Sequence, residues 1–427
     1  MILLKNCSIL KDNTELIENG FLGINNDTIS YIGKEKPKGY DEEKDMKGAL
    51  LIPGLINCHG HAAMVLLRGV GSGLPLQRWL EEAMWPIEDK MTAEDMAAGN
   101  ALAQMEMLRT GTTCYADMYM FPETAVELCK TSGMKANIAR PVVCFDENEG
   151  VAQSFRAKEG IELFESYHNS FNGRVKIELA IHGEYTCKPK LAEEYSALCF
   201  EKGARMQIHL SETEKEHREC KERYGKTPAR WFYDMGAFKS SVTAAHCVFL
   251  EEEDMDILKE CKVSAAHNPS SNLKLGSGFM PVKKLLNKGV NVCIGTDGAA
   301  SNNNLNMIEE IHLAALIHNG YNKSATELLP KDIIKMAFEN GAKAMGREDT
   351  GVLSVGKKAD ITAISMDEPH LYPFFDAIST LLYTAQGSDV CMTMVDGKIL
   401  YDNGEYLTID ADKVKAQVKK AVERLYK

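Results

Sequence analysis

Apolar and polar positions alternate along the chain in two distinct textures. Residues 1–50 carry short alternating runs, Ile2-Leu3-Leu4, Phe21-Leu22-Gly23-Ile24 and Ile29-Ser30-Tyr31-Ile32-Gly33, separated by Asn, Asp and Gly. That pattern predicts a small antiparallel β unit. From 51 to 348, short β-rich runs alternate with longer helical patterns. Expected strands cover 51–57, 112–118, 135–143, 174–182, 204–210, 242–247, 262–266 and 290–296. Expected helices cover 92–109, 122–132, 190–202, 213–223, 251–260 and 303–318. Eight strands with intervening helices predict an α/β protein built on a closed parallel (β/α)8 barrel of the TIM type; a doubly wound open sheet is the alternative that the pattern leaves open.

Beyond 349 the β texture returns in Asp360-Ile361-Thr362-Ala363-Ile364, in 390–395 and in 398–401, with Asp396-Gly397 as a hairpin signal. Strands from both chain ends, 1–50 and 349–427, are therefore expected to build one small β-sandwich beside the barrel. A final helix over 411–426 should bury Val414, Val418, Val422 and Leu425.

Composition narrows the function. The 427 residues are 44% hydrophobic and 26% charged, as in an ordinary globular protein. With 49 Lys+Arg against 61 Asp+Glu, the net charge of −12 repels phosphate backbones, so no nucleic-acid partner is expected and a small neutral or zwitterionic substrate fits better. The N-terminus lacks the pattern of a secretion signal, and no apolar run reaches the ~18 residues of a membrane span. Twelve cysteines, scattered singly with no C-x-x-C pair, suit reduced thiols in a cytoplasmic protein.

The chemistry concentrates at strand ends. Pro53-Gly54-Leu55-Ile56-Asn57-Cys58-His59-Gly60-His61 is an apolar run closing in two histidines, and on an extended backbone i and i+2 share a face. The same alternation turns Cys58 away as filler. His182 closes the fourth expected strand, His209 the fifth, His246 the sixth and Asp297 the eighth. Five of 11 histidines and an aspartate at one barrel rim are what a mononuclear metallohydrolase needs. His168, His217, His267, His312, His318 and His370 keep a structural reading, although His267 also follows a strand. Asp297 could take a proton from an attacking water, and His246 could hydrogen-bond that water and steady a tetrahedral adduct. Glu212, three residues past His209, reads equally as a proton carrier or as an acid in the first turn of the next helix.

Pro-Gly-Leu-Ile-Asn-x-His-x-His, Gln207-x-His209-Leu210-x-Glu212, Gly295-Thr296-Asp297-Gly298 and the closing Gly356-Lys357-Lys358-Ala359-Asp360-Ile361 together resemble the amidohydrolase superfamily, in its cytosine-deaminase/chlorohydrolase-like branch. More narrowly, Ala62-Ala63-Met64-Val65-Leu66-Leu67-Arg68-Gly69, Leu74-Pro75-Leu76, Trp79-Leu80 and Trp85-Pro86-Ile87-Glu88 resemble the 5-methylthioadenosine/S-adenosylhomocysteine deaminases. The resemblance implies a Zn²⁺ held by His59, His61, His209 and Asp297, a donor set that also suits Fe²⁺ or Mn²⁺. Strand 4 offers only Lys176, at its wrong end, for the carboxylated lysine of two-metal relatives, so one metal is expected.

Catalysis then falls to Glu212, His246 and Asp297: water adds at C6 of an adenine ring, N1 is protonated and ammonia leaves. Substrate contacts implied by the resemblance are Glu88 on the ribose diol, Arg140 on an amino-acid carboxylate, with Arg156 a second candidate in a loop, and His182 on a purine nitrogen. Two of these have a plainer alternative, a helix cap for Glu88 and a surface ion pair for Arg140, and Trp85 reads as core packing rather than as a place in the pocket. The implied partner is a purine nucleoside, namely methylthioadenosine, S-adenosylhomocysteine or adenosine. Guanine, cytosine or a chlorotriazine is the competing substrate, a barrel without chemistry the competing class, and a homo-oligomer is compatible with everything in the sequence.

Overall fold

The structure, a computed structural model, describes all 427 residues. The chain opens with β1 (Ile2–Lys11), β2 (Glu15–Asn25), β3 (Thr28–Gly33), β4 (Glu42–Asp45) and β5 (Leu50–Pro53). Eight strands then follow with helices between them: β6 (Leu55–Asn57), β7 (Thr112–Met118), β8 (Lys135–Val142), β9 (Val175–Ile181), β10 (Arg205–Leu210), β11 (Ser241–His246), β12 (Ser264–His267) and β13 (Asn291–Ile294). The chain returns through β14 (Ile361–Ile364), β15 (Val390–Val395), β16 (Lys398–Asp402) and β17 (Glu405–Tyr406).

Strands β6 to β13 pair in sequence order, every pair parallel. Between β6 and β13, backbone bonds just past the strand ends close the circle: Cys58 N donates to Ile294 O at 3.0 Å and Asp297 N to His59 O at 3.0 Å. Asn57 adds a side-chain clasp, accepting from Thr296 N at 2.9 Å and donating to Thr296 Oγ1 at 2.7 Å. The expected strand 51–57 is in fact two. Gly54 divides them, sending β5 to the terminal sheet and β6 to the barrel, and a Cβ there would lie 2.2 Å from Thr113 Oγ1.

The terminal unit draws on both chain ends, as expected, but its strands form one mixed nine-stranded sheet along β17-β16-β15-β14-β5-β1-β2-β3, with β4 beside β1. Its two halves share one apolar cluster, including Leu4, Ile9, Leu22, Leu51, Ile361 and Met392. Alternation along each strand, read correctly, does not say whether two faces belong to two sheets or to one sheet that curls. The last helix, Ala411–Leu425, lies against helix Ala93–Arg109 of the barrel rather than on the sheet. It buries Val414, Ala421 and Leu425, leaves Val422 exposed, and is pinned by Arg424 on Asp95 and by Tyr426 Oη on Leu66 O at 2.8 Å.

Residues 342–345 stop the bottom of the barrel. Asn137 Nδ2 on β8 donates to Met345 O at 3.0 Å and Thr243 Oγ1 on β11 to Ala344 O at 3.1 Å, so nearly opposite strands grip the same segment. Arg347 continues the stopper, its guanidinium donating to the carbonyls of Ala136, Gly173 and Arg174 at 2.7–2.9 Å. All twelve cysteines are free thiols, and no helix is long and apolar enough to cross a membrane.

Candidate metal centre and active site

The rim opposite that stopper gathers the histidines. The His59-Gly60-His61 segment is not a ladder strand, yet it is stapled on both sides: His59 O accepts Asp297 N, and Gly60 O accepts Met118 N at 3.0 Å. This pairing fixes the segment from which two imidazoles face one point. Gly295 packs so close to it that a Cβ would stand 2.7 Å from His59 N. Ser211, His246 and Asp297 all have left-handed backbones, with φ of 48°, 73° and 62°. Such conformations persist only where surroundings enforce them, and they cluster at functional sites.

His61 Nε2 lies 3.2 Å and His59 Nε2 3.6 Å from Asp297 Oδ1, and His209 Nε2 is 3.3 Å from His61 Nε2. The Nδ1 atoms of His61 and His209 point to the carbonyls of Met118 and His182, each at 2.7 Å. A carbonyl only accepts, so both Nδ1 atoms carry the proton and both Nε2 lone pairs face inward. His59 Nε2 is buried with no hydrogen-bond partner. Three inward nitrogens, one without a partner, beside a carboxylate fit a divalent cation. The four residues that the resemblance implied are brought together; His246 is close enough to form a second triple with His59 and His209.

The electrostatics agree for two of the three imidazoles, whereas Asp297 outweighs burial at His61 and raises its pKa. Burial pushes His59 down to about 4 and His209 well below its usual value, so both are neutral donors at pH 7. Burial opposes charge on Asp297 as well, but His59 and His61 outweigh it and hold the carboxyl well below its ordinary range. Asp297 Oδ2 accepts from Ser271 Oγ at 2.6 Å and Ser301 Oγ at 2.8 Å, and Gly298 N donates to Oδ1 at 2.7 Å.

Glu212 is not in a helix. The kink at Ser211 and the cap at Thr213 leave it before the helix Glu214–Tyr224, so the dipole reading belongs to Glu214 and Glu216 instead. Its carboxylate sits 3.7 Å from His246 Nε2 and 3.4 Å from Ser277 Oγ, and burial raises its pKa. His246 Nδ1 meets Asn272 Oδ1 at 2.8 Å, which turns Nε2 toward the cluster.

A cavity of about 370 Å³ opens above this group. His182, Glu88, Arg140, Arg156 and Trp85 all line it, so Trp85 is pocket wall rather than core. Glu88 accepts from Tyr119 Oη. Arg140 is already paired, its Nε 2.7 Å from Glu159. Arg156 has no ion pair; it stacks 4.7 Å over Phe155 in the first turn of helix Phe155–Tyr167, not in a loop. Cys58 packs with Cys114 and Cys293 away from the donors, as alternation required. His267 pairs with His318 at 3.0 Å between Nε2 atoms and stands outside the donor cluster.

Residues 50–400 match the model of the amidohydrolase family. The chain belongs to that family. The amidohydrolase is 41% identical to a 5-methylthioadenosine/S-adenosylhomocysteine deaminase of Thermoanaerobacter pseudethanolicus, over 99% of both chains. It is also 41% identical to a 5'-deoxyadenosine deaminase of Methanosarcina acetivorans, over 99% of this chain and 98% of that one. An adenosine deaminase from Xanthomonas campestris, solved with bound zinc, superposes with a TM-score of 0.93 at 28% identity, covering 100% and 98% of the two chains.

Sequence reasoning missed Ser271, Ser301 and Asn272, which hold Asp297 and His246 from behind. One signal was available: Asn268-Pro269-Ser270-Ser271-Asn272, five polar or turn residues directly after an apolar strand.

Proposed function

We propose that the protein hydrolytically deaminates the adenine ring of 5'-substituted adenosines, with 5'-methylthioadenosine, S-adenosylhomocysteine and 5'-deoxyadenosine as the substrates to compare. One observation carries the reading: a single cavity has the His/Asp cluster and Glu212 at its base and an apolar wall of Met64, Trp79, Leu80 and Trp85 above. The likeness to deaminases of both kinds supports it.

His59, His61, His209 and Asp297 would hold one Zn²⁺, which when bound acidifies and orients a water. Asp297 takes that water's proton as oxygen adds to C6. Glu212, kept protonated more readily by burial, delivers a proton to ring N1. His246 steadies the adduct through Nε2; Asp297 then passes its proton to the leaving amine and Glu212 recovers one from the added hydroxyl, so that ammonia departs and the inosine derivative remains. His182 lines the cavity with Nδ1 held by Thr186 Oγ1 at 2.9 Å, which leaves Nε2 for a purine nitrogen. Glu88, an acceptor at both oxygens, suits a ribose diol.

The two arginines split in role. Glu159 neutralises Arg140, whereas Arg156 has no ion pair, donates only to Val143 O at 3.4 Å, and so keeps its charge for an amino-acid carboxylate. The test is loss of adenine absorbance with the three nucleosides in parallel, alongside guanine and cytosine. Deamination of either free base in preference to all three nucleosides would refute the reading.

A further inference from the structure

Behind Asp297 stands a buried carboxylate that the mechanism does not use. Glu310, on helix Met307–Tyr321, is completely buried and forms no ion pair. Its Oε2 accepts from Ser270 N at 3.1 Å and its Oε1 from Asn302 Nδ2 at 2.8 Å. Those two partners adjoin, in sequence, the two serines whose hydroxyls bind Asp297 Oδ2. Asn302 Nδ2 also donates to Thr296 O at 2.8 Å, one residue before Asp297. One side chain thus joins the segment after β12 to the segment after β13, at the place where both deliver a hydroxyl to the same oxygen.

A carboxylate in such a place is costly to bury without a cation, and burial pushes its pKa up to about 7. Its value is that both partners are N–H donors, which an acceptor at each oxygen satisfies and an amide does not. A glutamine would set its own NH₂ against a donor; turning Asn302 to relieve that would strip Thr296 O of its partner.

We propose that Glu310 is a positioning residue for the deamination: it fixes Ser271 and Ser301 so that they hold Asp297 Oδ2 and keep Oδ1 turned to the imidazoles. The proposal rests on the role of Asp297 given above. It concerns a residue 13 positions downstream that touches neither substrate nor metal donors.

The test compares Glu310→Gln, the pair Ser271→Ala/Ser301→Ala, the triple variant and Asp297→Asn in the zinc-loaded full-length enzyme. Glu310→Gln and the serine pair are each expected to lower kcat by roughly 10–100-fold, with bound zinc per chain unchanged and KM within about twofold. The triple variant should lose far less than the product of the two separate losses, because Glu310 acts through the serines. Wild-type kcat in Glu310→Gln, or losses that multiply, would overturn the proposal. If Glu310→Gln does not fold, Glu310→Asp, which keeps both acceptors but withdraws them by a methylene, is judged by the same criterion. Wild-type turnover in Asp297→Asn would remove the role of Asp297 and this proposal with it. Loss of turnover there beside an unaffected Glu310→Gln removes the proposal alone.

Discussion

Two ends of one barrel bury charge in opposite ways. At the bottom, the Lys135 ammonium touches both oxygens of Asp360 at 2.7 and 2.8 Å and Asp396 Oδ1 at 2.6 Å, and Arg347 spends its donors on the carbonyls of Ala136, Gly173 and Arg174. At the mouth, His61 and His209 turn lone pairs toward each other and His59 Nε2 has no partner. Burial is equally deep in both places, so depth does not mark the site. What marks it is a set of groups whose mutual arrangement makes sense only with something added. Charge that is answered from within holds the fold; a nitrogen left without a partner awaits a ligand.

The sharpest way to break this contrast is a substitution at each end. Glu212→Gln should lower kcat by about 10²–10⁴-fold while zinc content and melting temperature hold, measured by ammonia release and metal analysis. Lys135→Met should do the reverse, costing about 3–5 kcal/mol in denaturant unfolding with kcat of the folded enzyme intact, because two carboxylates lose their cation. If Lys135→Met instead spared stability and lowered kcat, the contrast would collapse. Removing the metal comes next: a chelator should lower the melting temperature of the wild type, by mass action, and barely move a His59→Ala/His61→Ala variant.

Smaller effects sharpen the pocket. Arg156→Ala should weaken turnover of S-adenosylhomocysteine by roughly tenfold or more and spare methylthioadenosine, as loss of one charged hydrogen bond predicts. Arg140→Ala should do less, since Glu159 already engages it. The smallest effect concerns pH. Burial pushes Glu216 up to about 8, above its value in an unfolded chain. Its folded form favours the proton, so the stability it contributes is complete in acid and is lost as pH rises toward 8. Glu216→Gln should flatten that slope between pH 6 and 8 in unfolding experiments, by at most one proton's worth.

The sequence carried the barrel because its interior strands are short apolar runs separated by long helical patterns, and the donors because each ends such a run. Gly54 hid a boundary: an unbroken apolar stretch belongs to two sheets, and only the absence of a Cβ records the turn between them. Glu212 was placed by counting residues from His209, which assumes that the strand feeds straight into a helix; the left-handed Ser211 breaks that count. The helix Phe155–Tyr167, and with it the position of Arg156, went unread because only Ala157, Gly160 and Leu163 of it are buried, too few and too small to show a period. Ser271, Ser301 and Glu310 act across segments distant in sequence, and a hydroxyl on its own has no pattern to betray it.

Asp297 N donates to His59 O, which makes the weld of the cylinder and the assembly of its donors a single event. Residues 239 positions apart, Asn57 and Thr296, must meet before any cation can be gripped. A truncated chain without its last barrel strand would therefore keep both leading histidines and still leave them splayed. Metal capture would thus report on ring closure, and an ion seated there would act as a rivet through the join.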